Sequence, residues 1–237
     1  MNLSVSDITL DEMRLFGDIV ALLEELGPIV DVRGVVLPSI TKLLRADYCA
    51  SFEYDQRSGL WVNGISYNVD KTHVSHYETW FQHNDPMTDT LRKRGAATFV
   101  EEVISRHDLD HSEFYNDFLR RDGLHHGINV HSFDGGKHIG DLRIWRAQSR
   151  PEFTDRDKVL LDGIEPFLRR ALTRRRCSSA DLTERENDVA QLVATGCTDK
   201  EISRILNIEA STVRTHLRRV MTKKGVTNRS KLAAALV

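Results

Sequence analysis

What this chain has little of narrows its class before any motif is read. Three cysteines, Cys49, Cys177 and Cys197, stand among 237 residues. They are odd in number and form no Cys-x-x-Cys, so neither a disulfide framework nor a thiolate zinc site is indicated, and packing or surface roles are expected. No apolar run approaches the ~18 residues that a membrane-spanning helix needs. The start, Met1-Asn2-Leu3-Ser4, lacks the basic-then-apolar build of a signal peptide, so a cytoplasmic location is expected. Neither an internal repeat nor a low-complexity tract is present. A Gly-rich phosphate loop, a nucleophile elbow and a paired-carboxylate site are missing too, which leaves catalysis without positive support and no cofactor expected.

The residues that are there, 40% hydrophobic and 29% charged, suffice for packed cores, and the length fits two domains. A net charge of -2 conceals an asymmetry. Through Thr173 the chain holds 20 Lys and Arg against 28 Asp and Glu, whereas the last 64 residues hold 13 against 7. A basic segment appended to an acidic body points to a nucleic-acid-binding module attached to a domain with another task.

Apolar periodicity predicts helices over Asp11 to Leu26 and over Val32 to Leu44, the second interrupted near Pro38. The period then changes to two. Asp47 to Tyr54 pairs with Leu60 to Tyr67 around Ser58-Gly59, and Gly127 to Phe133 pairs with His138 to Trp145 around Asp134-Gly135-Gly136. Helical pieces are expected at Val74 to Phe81, Met87 to Arg94 and Ser112 to Arg121, and a longer one from Thr154 to Arg176 that Pro166 kinks or ends. Its stripe of Val159, Leu160, Ile164, Phe167, Leu168 and Leu172 is either a dimer seam or a face docked on the domain's own sheet. The expected first domain, residues 1–173, is thus an α/β sandwich: an antiparallel sheet with helices on both faces. Residues 174–181, which lose the periodicity, are the expected linker and hinge.

From residue 182 the pattern is helical. Thr183 and Glu186 form a capping box, Val189, Leu192 and Val193 share a face, and Gly196 closes that helix. A short helix, Asp199 to Leu206, precedes a tight turn at Asn207-Ile208. A third helix follows, with Val213, Leu217, Val220 and Met221 on its apolar stripe. Its opposite side presents Ser211, Thr215, Arg218, Arg219 and Thr222, flanked by Thr212, Arg214 and Lys223. Such a face suits a major groove, with Lys200 and Arg204 of the preceding helix clamping phosphates. This is the reading of a four-helix, all-α helix-turn-helix domain over residues 182–237. A basic helical bundle that contacts protein is the rival.

Leu182-Thr183-x-Arg185-Glu186, Ala194-x-Gly196, Lys200-Glu201-Ile202, Thr212-Val213-x-x-His216-Leu217 and Gly225-Val226-x-Asn228-Arg229 together resemble the LuxR-family DNA-binding domain. The resemblance implies a recognition helix around Ala210 to Lys224 and a fourth helix from about Arg229 that pairs two domains on a two-fold site. One departure is Glu209, at the N-cap of the recognition helix, where that family usually has Ser.

The same domain type also follows phospho-receivers. A receiver opens on a buried strand ending in acidic residues, whereas this chain opens on an amphipathic helix. Its element order resembles the autoinducer-binding half of LuxR regulators, or the related GAF-like sensors. Asp85-Pro86 matches an Asp-Pro whose carboxylate accepts a ligand amide hydrogen in that family, and Gly123-Leu124-x-x-Gly127-Ile128 resembles its Gly-led strand.

Alternation in the second hairpin sets Ile128, Val130, Leu142 and Ile144 on one side and Asn129, His131, Asp141, Arg143 and Trp145 on the other. If helices cover both sides, the polar groups need partners, because an unpaired buried charge costs several kcal/mol. The expected site is therefore a cavity holding a polar or carboxylate-bearing ligand through Arg143, Asp85, Asn129, His131 and Asp141, with aromatic walls from Trp61, Tyr67, Tyr77 and Trp80. A solvated polar face is the alternative. Nine of the ten histidines fall between His73 and His138, but without the spacing of a metal site, and no metal is expected.

The sequence thus reads as a ligand-responsive, non-enzymatic transcription regulator. It is expected to form a homodimer, bind double-stranded DNA at an inverted repeat, sense a small molecule and contact RNA polymerase. A quorum-sensing receptor for acyl-homoserine lactones is one alternative. A ligand-binding protein or enzyme with a basic tail is the other.

Overall fold

The computed structural model describes residues 7–27, 30–180 and 182–236, with the backbone alone over 177–180. The chain divides into two compact units, Met1–Glu25 with Val32–Leu172, and Leu26–Asp31 with Thr173–Val237.

In the first unit, α1 (Leu10–Glu25) and α2 (Val32–Leu43) precede the hairpin β1 (Tyr48–Asp55) and β2 (Leu60–Tyr67). Then come α3 (Lys71–Thr79), α4 (Thr88–Arg94), the two-residue strand β3 (Thr98–Phe99) and α5 (Arg106–Asp110). The hairpin β4 (His126–Asp134) and β5 (Lys137–Arg146) leads to α6 (Asp155–Ala180). The five strands form one antiparallel sheet in the order β2-β1-β5-β4-β3. Both hairpins lie where two-residue alternation placed them. The elements missed, β3 and α5, are too short to complete a period.

The expected interruption near Pro38 and the alternative that Pro166 ends its helix are corrected. Pro38 and Pro166 both lie inside continuous helices. An interior proline costs about 3 kcal/mol, and here the helix is buried on either side of it, through Val36, Leu37 and Ile40 in one case and Ile164 and Leu168 in the other. The expected linker also takes a different form, since α6 stays helical through Ala180. Charge removed the apolar period over Arg174-Arg175-Arg176 but does not itself break a helix.

The sheet's two faces bury different chemistry. Ile128, Val130, Leu142 and Ile144 are fully buried on one face, where Leu172 lies 3.0 Å from the position a Cβ on Gly140 would take. Leu160, Ile164, Leu168 and Leu172 are buried within the chain. That stripe is therefore committed to its own domain and the dimer-seam reading of it is withdrawn. The opposite face carries an aromatic cluster that includes Phe52, Trp61, Tyr77, Phe81, Phe114, Phe118 and Trp145.

The second unit contains α7 (Glu184–Ala194), α8 (Asp199–Leu206), α9 (Ala210–Lys223) and α10 (Arg229–Leu236). They close on Val189, Val193, Ile202, Val213, Leu217, Val220 and Leu232. Capping boxes start α7 at Thr183 with Glu186 and α8 at Thr198 with Glu201. Asn207 ends α8 in the left-handed region, with φ of 51°, a conformation that a β-branched residue would resist. That residue sets the turn into α9.

Candidate ligand cavity and DNA-binding face

Strand register brings the polar side of the second hairpin together. Asn129 pairs with Arg143 and His131 with Asp141 across β4 and β5, so all four side chains share one face. All four are buried, which excludes the solvated-face alternative. Arg143 is the hub. Its Nε donates to Asp141 Oδ2 at 2.6 Å, and its Nη1 lies 3.8 Å from Asp85 Oδ2. The guanidinium carbon sits 4.3 Å from the ring centre of Tyr77 and 4.6 Å from those of Phe52 and Trp61. Burial opposes its charge, but Asp141, Tyr77 and Asp85 hold its pKa above the ordinary guanidinium value. Burial likewise raises the Asp141 carboxyl, against the pull of Arg143. Asp141 also accepts from the Phe52 N–H at 2.7 Å, tying β5 to β1.

Beside this hub lies a cavity of about 30 Å³, bordered by Ala50, Phe52, Val69, His73, Val74, Tyr77, Met87, Thr88, Phe114, Phe118, Leu119, Leu124, Asn129, Arg143 and Trp145. Its floor is the polar face and its walls are aromatic. Arg143 Nη2 and Asn129 Oδ1 are both buried without a hydrogen-bond partner. Phe114 and Phe118 reach the cavity from a π-helical turn, Phe114–Phe118, a geometry often found at functional sites. His73 stacks on Phe118 with ring centres 3.7 Å apart, and its Nδ1 lies 2.9 Å from Asp122 Oδ2. Burial pushes its pKa from 6.5 down to about 4, against Asp122.

The sequence-derived set only partly converges. Tyr77, Asn129 and Arg143 border the cavity, while Trp61 and Asp141 stand behind it as supports of Arg143. His131 is farther along β4, with Nδ1 3.3 Å from His138 Nε2, and burial keeps it well below the usual histidine range. Asp85 does not border the cavity. Its Oδ1 accepts from the Met87 and Thr88 N–H groups, and its Oδ2 from the Tyr77 and Thr88 hydroxyls. With four donors its acceptor capacity is filled, so it anchors the start of α4 instead of receiving a ligand amide. Trp80 and Tyr67 are corrections, because Trp80 is 58% exposed and Tyr67 37%. Trp80 closes α3 and Tyr67 ends β2 at the sheet's edge, so both point away from the core that Tyr77 enters. Sequence reading missed His73, Phe114 and Phe118. Helical spacing of 73 with 77 was the available signal for His73, but π spacing hides the two phenylalanines. Among the described residues no group of three or more His, Cys, Asp or Glu side chains could hold a metal.

In the second unit, Ser211, Arg214, Thr215, Arg218, Arg219 and Thr222 are exposed on α9, opposite buried Val213, Leu217 and Val220. Lys200 and Arg204 are exposed on α8, and Thr212 is half-buried. The Thr215 and Thr222 hydroxyls donate to carbonyls one turn back, those of Ser211 and Arg218. Arg214 Nε reaches Asp199 Oδ2 at 3.4 Å, and Arg229 holds the other oxygen of the same carboxylate at 2.7 Å. Lys223 differs from the expectation: its ammonium donates to Glu186 Oε2 at 2.7 Å, which makes it a clamp between α9 and the start of α7. That bond, with the Thr183 N–H, holds Glu186 at about 2. Glu209 makes no side-chain bond to the backbone N–H groups of α9; its Oε2 accepts from the Ser211 hydroxyl at 3.0 Å instead. Among the described residues no helix is long and apolar enough to cross a membrane.

The family described as "Bacterial regulatory proteins, luxR family" (GerE) matches residues 180–236. A monoamine regulon transcriptional regulator of Klebsiella aerogenes is 26% identical over 174 residues, 73% of this chain and 76% of the relative. Among solved structures, Escherichia coli SdiA superposes with a TM-score of 0.50 at 17% identity, covering 94% of this chain and 95% of that one. The GAF domain of a phosphoenolpyruvate-protein phosphotransferase from Coxiella burnetii does so with 0.54 at 14%, covering 71% and 96%. Residues 180–236 therefore form a LuxR-type helix-turn-helix domain, and the domain that precedes it has a GAF-like fold.

Proposed function

We propose that the chain is a ligand-responsive regulator that dimerises through its sensor domain and reads an inverted-repeat promoter site, with a small polar or carboxylate-bearing molecule as effector. One observation carries the sensor half: Arg143 Nη2 and Asn129 Oδ1 are buried without partners beside an aromatic cavity. A buried polar group left unpaired costs about 1–3 kcal/mol, so a ligand that bonds to these two atoms recovers that cost. A cavity of about 30 Å³ holds only a water or two, so a larger effector binds an opened arrangement. Binding one arrangement better than another is what shifts an equilibrium and couples ligand to DNA. Exposed Leu10 and Met13 on α1 support self-association of this unit.

Thermal-shift screening of the full chain tests the reading, with organic acids and their amides, monoamines suggested by the Klebsiella relative's name, and acyl-homoserine lactones. Stabilisation by a polar ligand that disappears in Arg143→Ala is the expected result. Stabilisation by lactones alone, indifferent to Arg143→Ala, overturns the polar-effector reading.

A further inference from the structure

The carboxylate of Asp199 serves two arginines at once. Asp199 opens α8, where the capping box of Thr198 and Glu201 fixes the backbone. Its Oδ1 accepts from Arg229 Nη1 at 2.7 Å, and Arg229 also donates to the Cys197 carbonyl, so the start of α10 holds the acid in place. Its Oδ2 lies 3.4 Å from Arg214 Nε. The Arg214 side chain is 74% exposed, near the start of α9, whereas that of Asp199 is 28% exposed. Arg218 and Arg219 share the exposed side of α9, but among the described residues Arg214 alone of the three has a carboxylate partner.

Exposed ion pairs contribute little to stability, so the consequence of this one lies in the side chain it orients. A long side chain loses rotamer freedom when it docks, and an arginine already held at Nε has less to lose. The contact leaves both Nη groups, a planar donor pair that matches O6 and N7 of guanine in the major groove. Residues near the N-terminus of a recognition helix are the ones that reach base edges.

We propose that Asp199 is a positioning residue for sequence reading, holding Arg214 so that its Nη groups present a preset fork to one guanine of the site. This rests on the proposal that α9 enters the major groove. Loss of the Asp199 charge then has two effects of opposite sign. Asp199→Asn leaves more unneutralised positive charge on the DNA-facing side, which strengthens sequence-independent phosphate binding, while the guanine preference falls. A change that merely loosens the fold weakens both.

The test selects sites from a randomised duplex pool with the full chain. It then titrates the selected duplex, its single guanine-to-adenine variants and an unrelated duplex. The wild type is expected to favour one guanine by about tenfold or more, and Asp199→Asn to reduce that preference about fivefold or more, with equal or tighter binding of the unrelated duplex. Arg214→Lys keeps the charge and loses the fork, so the same preference should vanish, and adding Asp199→Asn to it should change nothing further.

An unchanged guanine preference in Asp199→Asn, or an equal loss with and without Arg214→Lys, overturns the proposal and leaves DNA reading intact. A preference retained in Arg214→Lys, at its exposed position, overturns it whatever the fold of Asp199→Asn. If the wild type selects no site, the proposal falls together with DNA reading.

Discussion

Arg143 and Asp141 stand two residues apart on β5, both buried, joined by a 2.6 Å hydrogen bond from Nε to Oδ2. Their separation of two is what places them on one face, and burial is what makes each depend on the other. Removing one partner of such a pair leaves an uncompensated buried charge, worth about 3–5 kcal/mol. Arg143→Ala is therefore expected to lower stability by that order, and Arg143→Ala with Asp141→Ala by less than the sum of the two single changes. Urea unfolding of the four chains in the cycle measures the coupling, and strict additivity would refute it.

His73 gives the first unit a pH dependence. Its pKa is 6.5 in the ordinary state and about 4 in the fold, chiefly through burial. Between those values the unfolded chain binds more protons, so stability is complete above about pH 6.5 and declines as pH falls toward 4. The loss is on the order of 2 kcal/mol after solvent screening. Melting curves from pH 7 to 4 should slope less steeply in His73→Gln; an unchanged slope would assign the dependence elsewhere.

Gly127, paired with Trp145 across β4 and β5, has no room for a side chain. A Cβ there would lie 2.6 Å from Val100 Cγ2 and 2.7 Å from Trp145 Cζ3. Gly127→Ala is expected to cost about 1–3 kcal/mol and to displace Trp145 toward the cavity it borders. A shift in the tryptophan emission maximum, together with weaker ligand binding, would report the displacement. Wild-type stability and emission would show that Val100 and Trp145 give way freely.

Two basic residues of α9 should behave differently. Arg218 is exposed, and Arg218→Ala should cost about 1–3 kcal/mol of operator affinity with little change in melting temperature. Lys223 holds Glu186, so Lys223→Met should lower the melting temperature of its domain before it affects base selectivity. Mobility-shift titrations at several salt concentrations, paired with calorimetry, separate the two. Identical effects of both changes would contradict the assignment of Lys223 as a clamp.

The pH response of Glu186 follows from the same contact. Its carboxyl is held from 4.5 down to about 2, first by Lys223 and then by the Thr183 N–H. A depressed carboxylate stabilises above its unfolded value and loses that contribution as pH falls through the folded one. Below about pH 4.5 the wild type should lose stability that Glu186→Gln lacks throughout, a difference that acid melts would reveal.

Sequence alone determined the alternations and the caps. Period two in β4 and β5 was enough to put Asn129, His131, Asp141 and Arg143 on one face, because strand geometry leaves no other choice. The spacing of Val213, Leu217 and Val220 likewise fixed the exposed side of α9. Tertiary structure decided everything that depends on which surfaces meet. It buried the polar face, filled the acceptor capacity of Asp85 with local donors, turned Trp80 outward and bound Lys223 to Glu186. None of these is a property of spacing, because each depends on what a distant segment brings to the same place. It also carried α2 and α6 through their prolines, since buried contacts on either side outweigh a lost backbone hydrogen bond.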